Sequence, residues 1–444
     1  MQNSQTPYTY TSIVKMAVVT CALSVSLPSL AQIVTLDKSQ TIDEKRSGWL
    51  PYFFATDSLG TAVGVGGGLG GVMQPQSSVF GTVFLTSNDS ALLSGAINNL
   101  RLGNSRLFTD SFLLVDHFTD QRFYADLDYD LSNAKAGSND SDEDDFISGV
   151  SDEITFQQTL RYSLPIGSNA EDPLSIYTLD QGLLQSAPTG GKEWNPMTSG
   201  RTTLATRFFY TYRDLSEYDG NEEQLEAKTN GLDFWLEYDN TDFPRNPSYG
   251  SRQQFKLTRD FGWFDSSNSW TNLELDMTKY VNLGTSGLFK HQALAFNFWT
   301  SNTPTWETSP NNAQQVTNRP PPGYGSQLGG FDRMRAYPNG RFRDKSAVYY
   351  AAEVRLTPQF QKMRDWPIIK YFEVDWFQVV PFVEAGRVSD EYNSNLLTKD
   401  LKLDAGIGLR VMAFRTVFRL DFAVSEEGAA FQAMISQPFS RPGN

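Results

Sequence analysis

The last stretch of the chain alternates residue by residue. Phe418, Leu420, Phe422 and Val424 fall on one face of an extended backbone, and Arg419 and Asp421 fall on the other. After a short turn, Phe431 to Phe439 runs on to a final aromatic. Period-2 alternation marks a strand with one apolar and one polar face. Two such strands in succession at the C-terminus point to a membrane-spanning barrel, in which the apolar face meets lipid and the charged face meets a wet lumen.

The rule recurs upstream. Leu232, Phe234, Leu236 and Tyr238 alternate with Asp233, Glu237 and Asp239, and the runs 273–277 and 401–411 repeat the pattern. Soluble strands cluster near five or six residues, whereas strands crossing a bilayer at a tilt need about 9–11. Length therefore favours the membrane. The pattern predicts an all-β chain, a 16-stranded antiparallel transmembrane β-barrel, with strands starting near 60, 77, 91, 106, 122, 152, 200, 230, 249, 269, 288, 346, 377, 401, 415 and 428. An even count puts both termini on the periplasmic side. Short inward turns are expected at 88–90, 120–121, 282–287 and 413–415. The stretches 165–199 and 359–376 become long periplasmic connections, where a strand boundary is displaced or small extra elements sit.

Lys15, the apolar run 16–27 and Ser29-Leu30-Ala31 read as a signal peptide over 1–31, cleaved before Gln32. The chain then divides into a short periplasmic segment 32–59, the barrel 60–439 and a tail 440–444. Cys21, the single cysteine, lies inside the signal segment, and Thr20 before it argues against lipidation. No disulfide, iron–sulfur site or thiol nucleophile is expected in the mature chain. No later run of eighteen apolar residues offers a transmembrane helix. The mean hydropathy of −0.40 with 13% aromatic residues suits a barrel and suits a secreted β-protein equally well.

The balance of 37 basic against 51 acidic residues argues against nucleic acid as a partner. Such a surface could meet outer-membrane lipid, including lipopolysaccharide through bridging divalent cations. The acids Asp140, Asp142 and Asp144 begin a calcium-loop spacing. Asp145 stands where that loop needs Gly and Ser151 where it needs Glu, so a solvated, mobile loop is expected. No metal site or cofactor is predicted.

The segment 302–345 carries the most specific signal: Leu328-Gly329-Gly330, then Met334-Arg335-Ala336-Tyr337 and Gly340-Arg341-Phe342-Arg343. It resembles the sixth extracellular loop of the BamA/TamA family of outer-membrane barrels, the bacterial surface antigens. There a Gly-Gly pair precedes a hydrophobic-Arg-Gly-aromatic tip, and Ala336 replaces the usual Gly. Asp239 to Gly250 is similar to the family's turn between strands eight and nine, and Phe382 to Gly386 to its strand thirteen, with Glu384 where Asp is common. Gly406-Ile407-Gly408-Leu409-Arg410 resembles strand fourteen, and Phe439 the family's assembly signal, though five residues follow it here. The resemblance covers about residues 49 to 439. It implies a sixth loop folded into the lumen and a role in handling outer-membrane proteins or lipids, with a lateral gate between the first and last strands. The glycine-rich run 60–71 fits such a gate and fits simple easing of curvature as well. The nineteen residues from Gln32 to Leu50 leave no room for the family's periplasmic POTRA modules, so a stand-alone barrel is expected.

A loop held in a lumen needs an anchor against its own entropy, and a guanidinium forks two bonds onto a carboxylate. Glu384, on the inward face of strand thirteen, is the expected partner of Arg335, and Asp404 on strand fourteen the second candidate. The plainer alternative is a solvated Arg335. Catalysis is not expected: of His117 and His291, only His117 has nearby acids, and Asp116 lies on the opposite face of its strand. The competing functional reading is a constitutive porin-like channel.

Overall fold

The computed structural model describes residues 33–42, 44, 46–56, 60–124, 135–191, 193–216, 225–309, 312–362, 366–414, 416–435 and 437–439. The segment read as a signal peptide and the tail 440–444 lie outside the described residues.

Sixteen strands form one antiparallel sheet in chain order. The first eight are β1 Arg46–Thr56, β2 Gly60–Gly70, β3 Ser78–Thr86, β4 Ala91–Arg101, β5 Leu107–Phe123, β6 Ile147–Ser163, β7 Arg201–Ser216 and β8 Leu225–Asp239. Then come β9 Gly250–Phe261, β10 Ser269–Gly284, β11 Phe289–Asn302, β12 Ser346–Pro358, β13 Val374–Ser389, β14 Lys402–Ala413, β15 Thr416–Ser425 and β16 Gly428–Ile435. Alternation decides which side each residue takes. On β15, Val417, Arg419, Asp421 and Ala423 are buried, while Leu420, Phe422 and Val424 are exposed. On β8, Asp233, Trp235 and Asp239 point in and Phe234 and Leu236 point out. The buried face is thus the charged one, the inverse of a soluble sandwich.

The count of sixteen agrees with expectation through two differences that cancel. The first wall strand is Arg46–Thr56, inside the segment expected to be periplasmic. Gly48 and Pro51 interrupt its pattern, which an edge strand tolerates. The residues 120–121, expected as a turn, lie within β5, where the pairing with β6 shifts between Phe118 and Gln121. A bulge absorbs the polar pair without ending the strand. The turn at 88–90 consequently sits at the opposite rim from the one expected, whereas 282–287 and 413–414 lie at the rim where β1 begins, the entry rim.

Small elements occupy the long connections. Ser175–Asp180 pairs in parallel with Ile33–Asp37 and antiparallel with Leu183–Leu184, making a separate three-stranded sheet, and Pro367–Tyr371 forms a short helix. Ile33, Tyr177 and Leu179 of that small sheet pack with Phe243, Trp376, Met412 and Val417 at the entry rim. The Trp376 Nε1–H donates to the Gly182 carbonyl at 3.1 Å.

β1 and β16 are the sheet's edges, and among the described residues no ladder joins them. β1 nonetheless comes back to the far end of the sheet: a Cβ on Gly48 would stand 3.1 Å from the Phe414 ring of the β14–β15 turn.

Candidate functional site

The connection from β11 to β12 folds inward and its tip is tied into a compact knot. Gly329, Gly330 and Met334 take left-handed backbone at φ +105, +96 and +57°. The Gly330 N–H donates to the Tyr337 carbonyl at 2.9 Å and the Tyr337 N–H to the Met334 carbonyl at 3.0 Å. A side chain on Gly329 would collide with the Pro338 carbonyl at 2.0 Å, so the Gly-Gly pair answers both to φ and to close approach. Ala336 is not among the left-handed residues, so alanine in the family's glycine position is unstrained.

This knot presents Arg335 to the wall, where it is fully buried. Its backbone N–H donates to Glu384 Oε2 at 2.7 Å and its Nε–H to Glu384 Oε1 at 3.0 Å. One terminal nitrogen donates to Asp421 Oδ2 at 3.0 Å, and the other lies 3.0 Å from Glu353 Oε1. The guanidinium stacks 3.5 Å over the centre of the Phe382 ring. Burial works against its charge, but Glu384, Asp421 and Glu353 outweigh that and hold it above the ordinary range.

The predicted pair Arg335–Glu384 is therefore present. The second candidate acts differently: Asp404 accepts the Ala336 N–H at 3.1 Å and so holds loop backbone. The partners not foreseen are Asp421 on β15 and Glu353 on β12. Each is an inward acid on a strand neighbouring or near β13, a signal readable once register is known. Arg355, Arg410 and Arg419 supply countercharge: Arg355 lies 3.0 Å and Arg410 3.4 Å from Glu353, while Arg410 also bonds Asp421. Arg419 donates to the Phe331 carbonyl, and Gln432 of β16 donates to the Arg335 carbonyl at 2.8 Å. Five strands, β12 to β16, and the loop tip thus share one buried network. It was expected in a wet lumen, but burial here is complete.

Glycines make the seat. A Cβ on Gly386 would strike Leu328 at 2.8 Å and the Met334 sulfur at 3.1 Å, and one on Gly408 would strike Asp421 at 2.4 Å. Tyr337 packs edge-on against Phe342 and donates to the Leu403 carbonyl at 3.1 Å. Farther out, Arg341 grips Glu427 with two bonds of 2.8 Å and donates to the Ser141 carbonyl at 2.7 Å. The acidic connection is accordingly half tethered, contrary to expectation. Asn139 and Ser141 are buried, and Lys135 pairs with Asp344 at 2.8 Å, whereas Asp142 to Asp145 remain exposed.

Phe439 is placed differently from its expected role as the last aromatic of the closing strand. β16 ends at Ile435, and Phe439 is buried inside at φ +64°, in one cluster with Tyr280 and Trp299. Its carbonyl accepts from Arg252 at 3.3 Å. The histidines have simple partners: His117 Nδ1 lies 2.8 Å from Asp152 of the next strand, and His291 Nε2 lies 2.6 Å from the Ser248 hydroxyl. Among the described residues no cluster of potential metal ligands occurs.

A large antiparallel sheet with its charged face inward and a loop pinned on that face defines an outer-membrane β-barrel. The Omp85 superfamily domain matches residues 87–439, and the chain belongs to that superfamily, whose barrels insert or translocate proteins at the bacterial outer membrane. Among solved structures it is similar to BamA from Haemophilus ducreyi lacking POTRA domains 1-3 (11% identity, TM-score 0.50, 89% of this chain and 70% of that one). It is also similar to CdiB from Escherichia coli (9% identity, TM-score 0.52, 88% of this chain and 61% of that one). No curated protein matches the chain in sequence.

Proposed function

We propose that this barrel handles client outer-membrane or secreted proteins through a lumen that rests closed, and that release of the 303–345 loop from its wall anchor is the opening step. The observation that carries this reading is the burial of Arg335 among three carboxylates on β12, β13 and β15. A loop merely lying in a pore would not need so costly a seat. The small sheet at the entry rim, which faces the periplasm in the expected orientation, would be a second barrier in series. A constitutive pore is the poorer reading, because a loop seated on the inner wall and a sheet at the rim would each narrow the path. Handling of lipid instead of protein would use the same gate.

In planar bilayers the purified protein is expected to be mostly closed, with brief irregular openings. Arg335→Ala should raise the open fraction and expose the loop to added protease. Large, steady steps from the unaltered protein would overturn the proposal in favour of a porin.

A further inference from the structure

Barrel walls are convex outside, yet this one carries a hollow of about 1260 Å³ across β9 to β15. Most of its lining points away from the lumen. Met277, Phe296, Val383, Leu403 and Val424 are all exposed apolar residues on the lipid-facing side of their strands. The floor follows from small residues. Ala352, Ala385 and Ala405 are the immediate outward neighbours of the inward acids Glu353, Glu384 and Asp404, so the wall is thinnest where it holds the loop inside. Register runs the hollow across the sheet, through the pairs Lys279↔Phe296, Phe296↔Ala352, Ala352↔Val383, Val383↔Ala405 and Ala405↔Val424.

Lys279 is the feature that selects an occupant. It lies in the half of β10 nearer the entry rim, exposed, with the outward Met277 and Val281 on either side of it. Among the described residues it has no acidic partner, in contrast to Lys402 at the other end of the hollow, which pairs with Glu426 at 2.5 Å. An unpaired lysine on the lipid face of a barrel is costly away from the interface, and its flexible stem lets the ammonium reach for a headgroup. The anion that a bilayer offers there is a lipid phosphate. Trp194, largely exposed and donating through Nε1 to Gln253 at 3.4 Å, borders the same end, as interfacial tryptophans do.

We propose that this hollow is a binding site for one glycerophospholipid, its phosphate on Lys279 and an acyl chain along Ala352, Ala385 and Ala405. The site rests only on the outer-membrane placement and stands apart from the gating reading. It is tested by native mass spectrometry of the full-length protein in detergent with added phosphatidylglycerol, with diacylglycerol as the phosphate-free arm. Wild type should retain one phosphatidylglycerol and little diacylglycerol. Lys279→Gln should weaken retention about five-fold, the effect of ~1 kcal/mol for one cation at a lipid surface. Ala385→Phe should fill the floor and abolish retention, with heat-modifiable mobility confirming that both variants are folded. Equal retention by wild type and Lys279→Gln, equal retention of diacylglycerol, or lipid exclusion by a second copy docked on this face would each overturn the site. None of these outcomes bears on the conductance of Arg335→Ala.

Discussion

At the scale of single residues, the energetic weight falls on charges that cannot be left alone. Arg335 and its acids have no exposure, so removing one member strands the others, at a cost of about 3–5 kcal/mol for a buried pair. A solvent-exposed ion pair would be worth only about 1 kcal/mol or less. The geometry also makes the two halves of the pair unequal. Glu384→Ala leaves Arg335 with Asp421 and Glu353, whereas Arg335→Ala leaves Glu384 with the Tyr349 hydroxyl and the backbone N–H of residue 335 but no guanidinium. Arg335→Ala should therefore open the lumen more than Glu384→Ala. The double variant should be milder than Arg335→Ala alone, because the stranded carboxylate is gone. Conductance and loop proteolysis read this order, and additive effects would refute it. Ala336→Gly gives a second check. Ala336 has no left-handed backbone to relieve, so restoring the family's glycine should lower stability by about 0.4–1 kcal/mol through the freer unfolded chain, measured as the heat-modification midpoint.

At the scale of elements, two segments outside the wall do work that no alternation announces. The small sheet is held by the buried Trp376 ring and its bond to Gly182. Trp376→Ala should cost about 3–5 kcal/mol locally and make 175–184 protease-sensitive while the wall strands stay protected. Unchanged protection there would mean that the sheet is held by other contacts. The segment 437–439 turns inward after β16, with Pro438 and Phe439 carbonyls accepting from Arg355 and Arg252. The family resemblance gives Phe439 a part in assembly. Its burial beside Trp299 argues that Phe439→Ala also lowers the heat-modification midpoint of barrels already assembled, a measurement separate from the amount assembled. An unchanged midpoint with reduced yield would restore a purely biogenic role.

At the scale of the whole molecule, the barrel and its sixth loop were legible in the sequence. Lipid on one side and water on the other force every wall strand into period-2 alternation, a local signal that needs no knowledge of neighbours. The motif around Arg335 and the inward Glu384 were likewise readable, since a buried arginine demands a carboxylate and alternation says which acids face in. Edges and bulges blurred the reading: Pro51 hid β1, and Asp120-Gln121 broke β5 in two. What only the tertiary structure decided is which distant residues meet. Asp421 and Glu353 join Arg335 through the register of neighbouring strands, and Asp404 reaches the loop through its backbone. The strand Ile33–Asp37 finds Ser175–Asp180 more than a hundred residues away, and Phe439 leaves the wall for the interior. Contacts of that kind depend on how the sheet curls and where its connections return, and no periodicity along the chain encodes them.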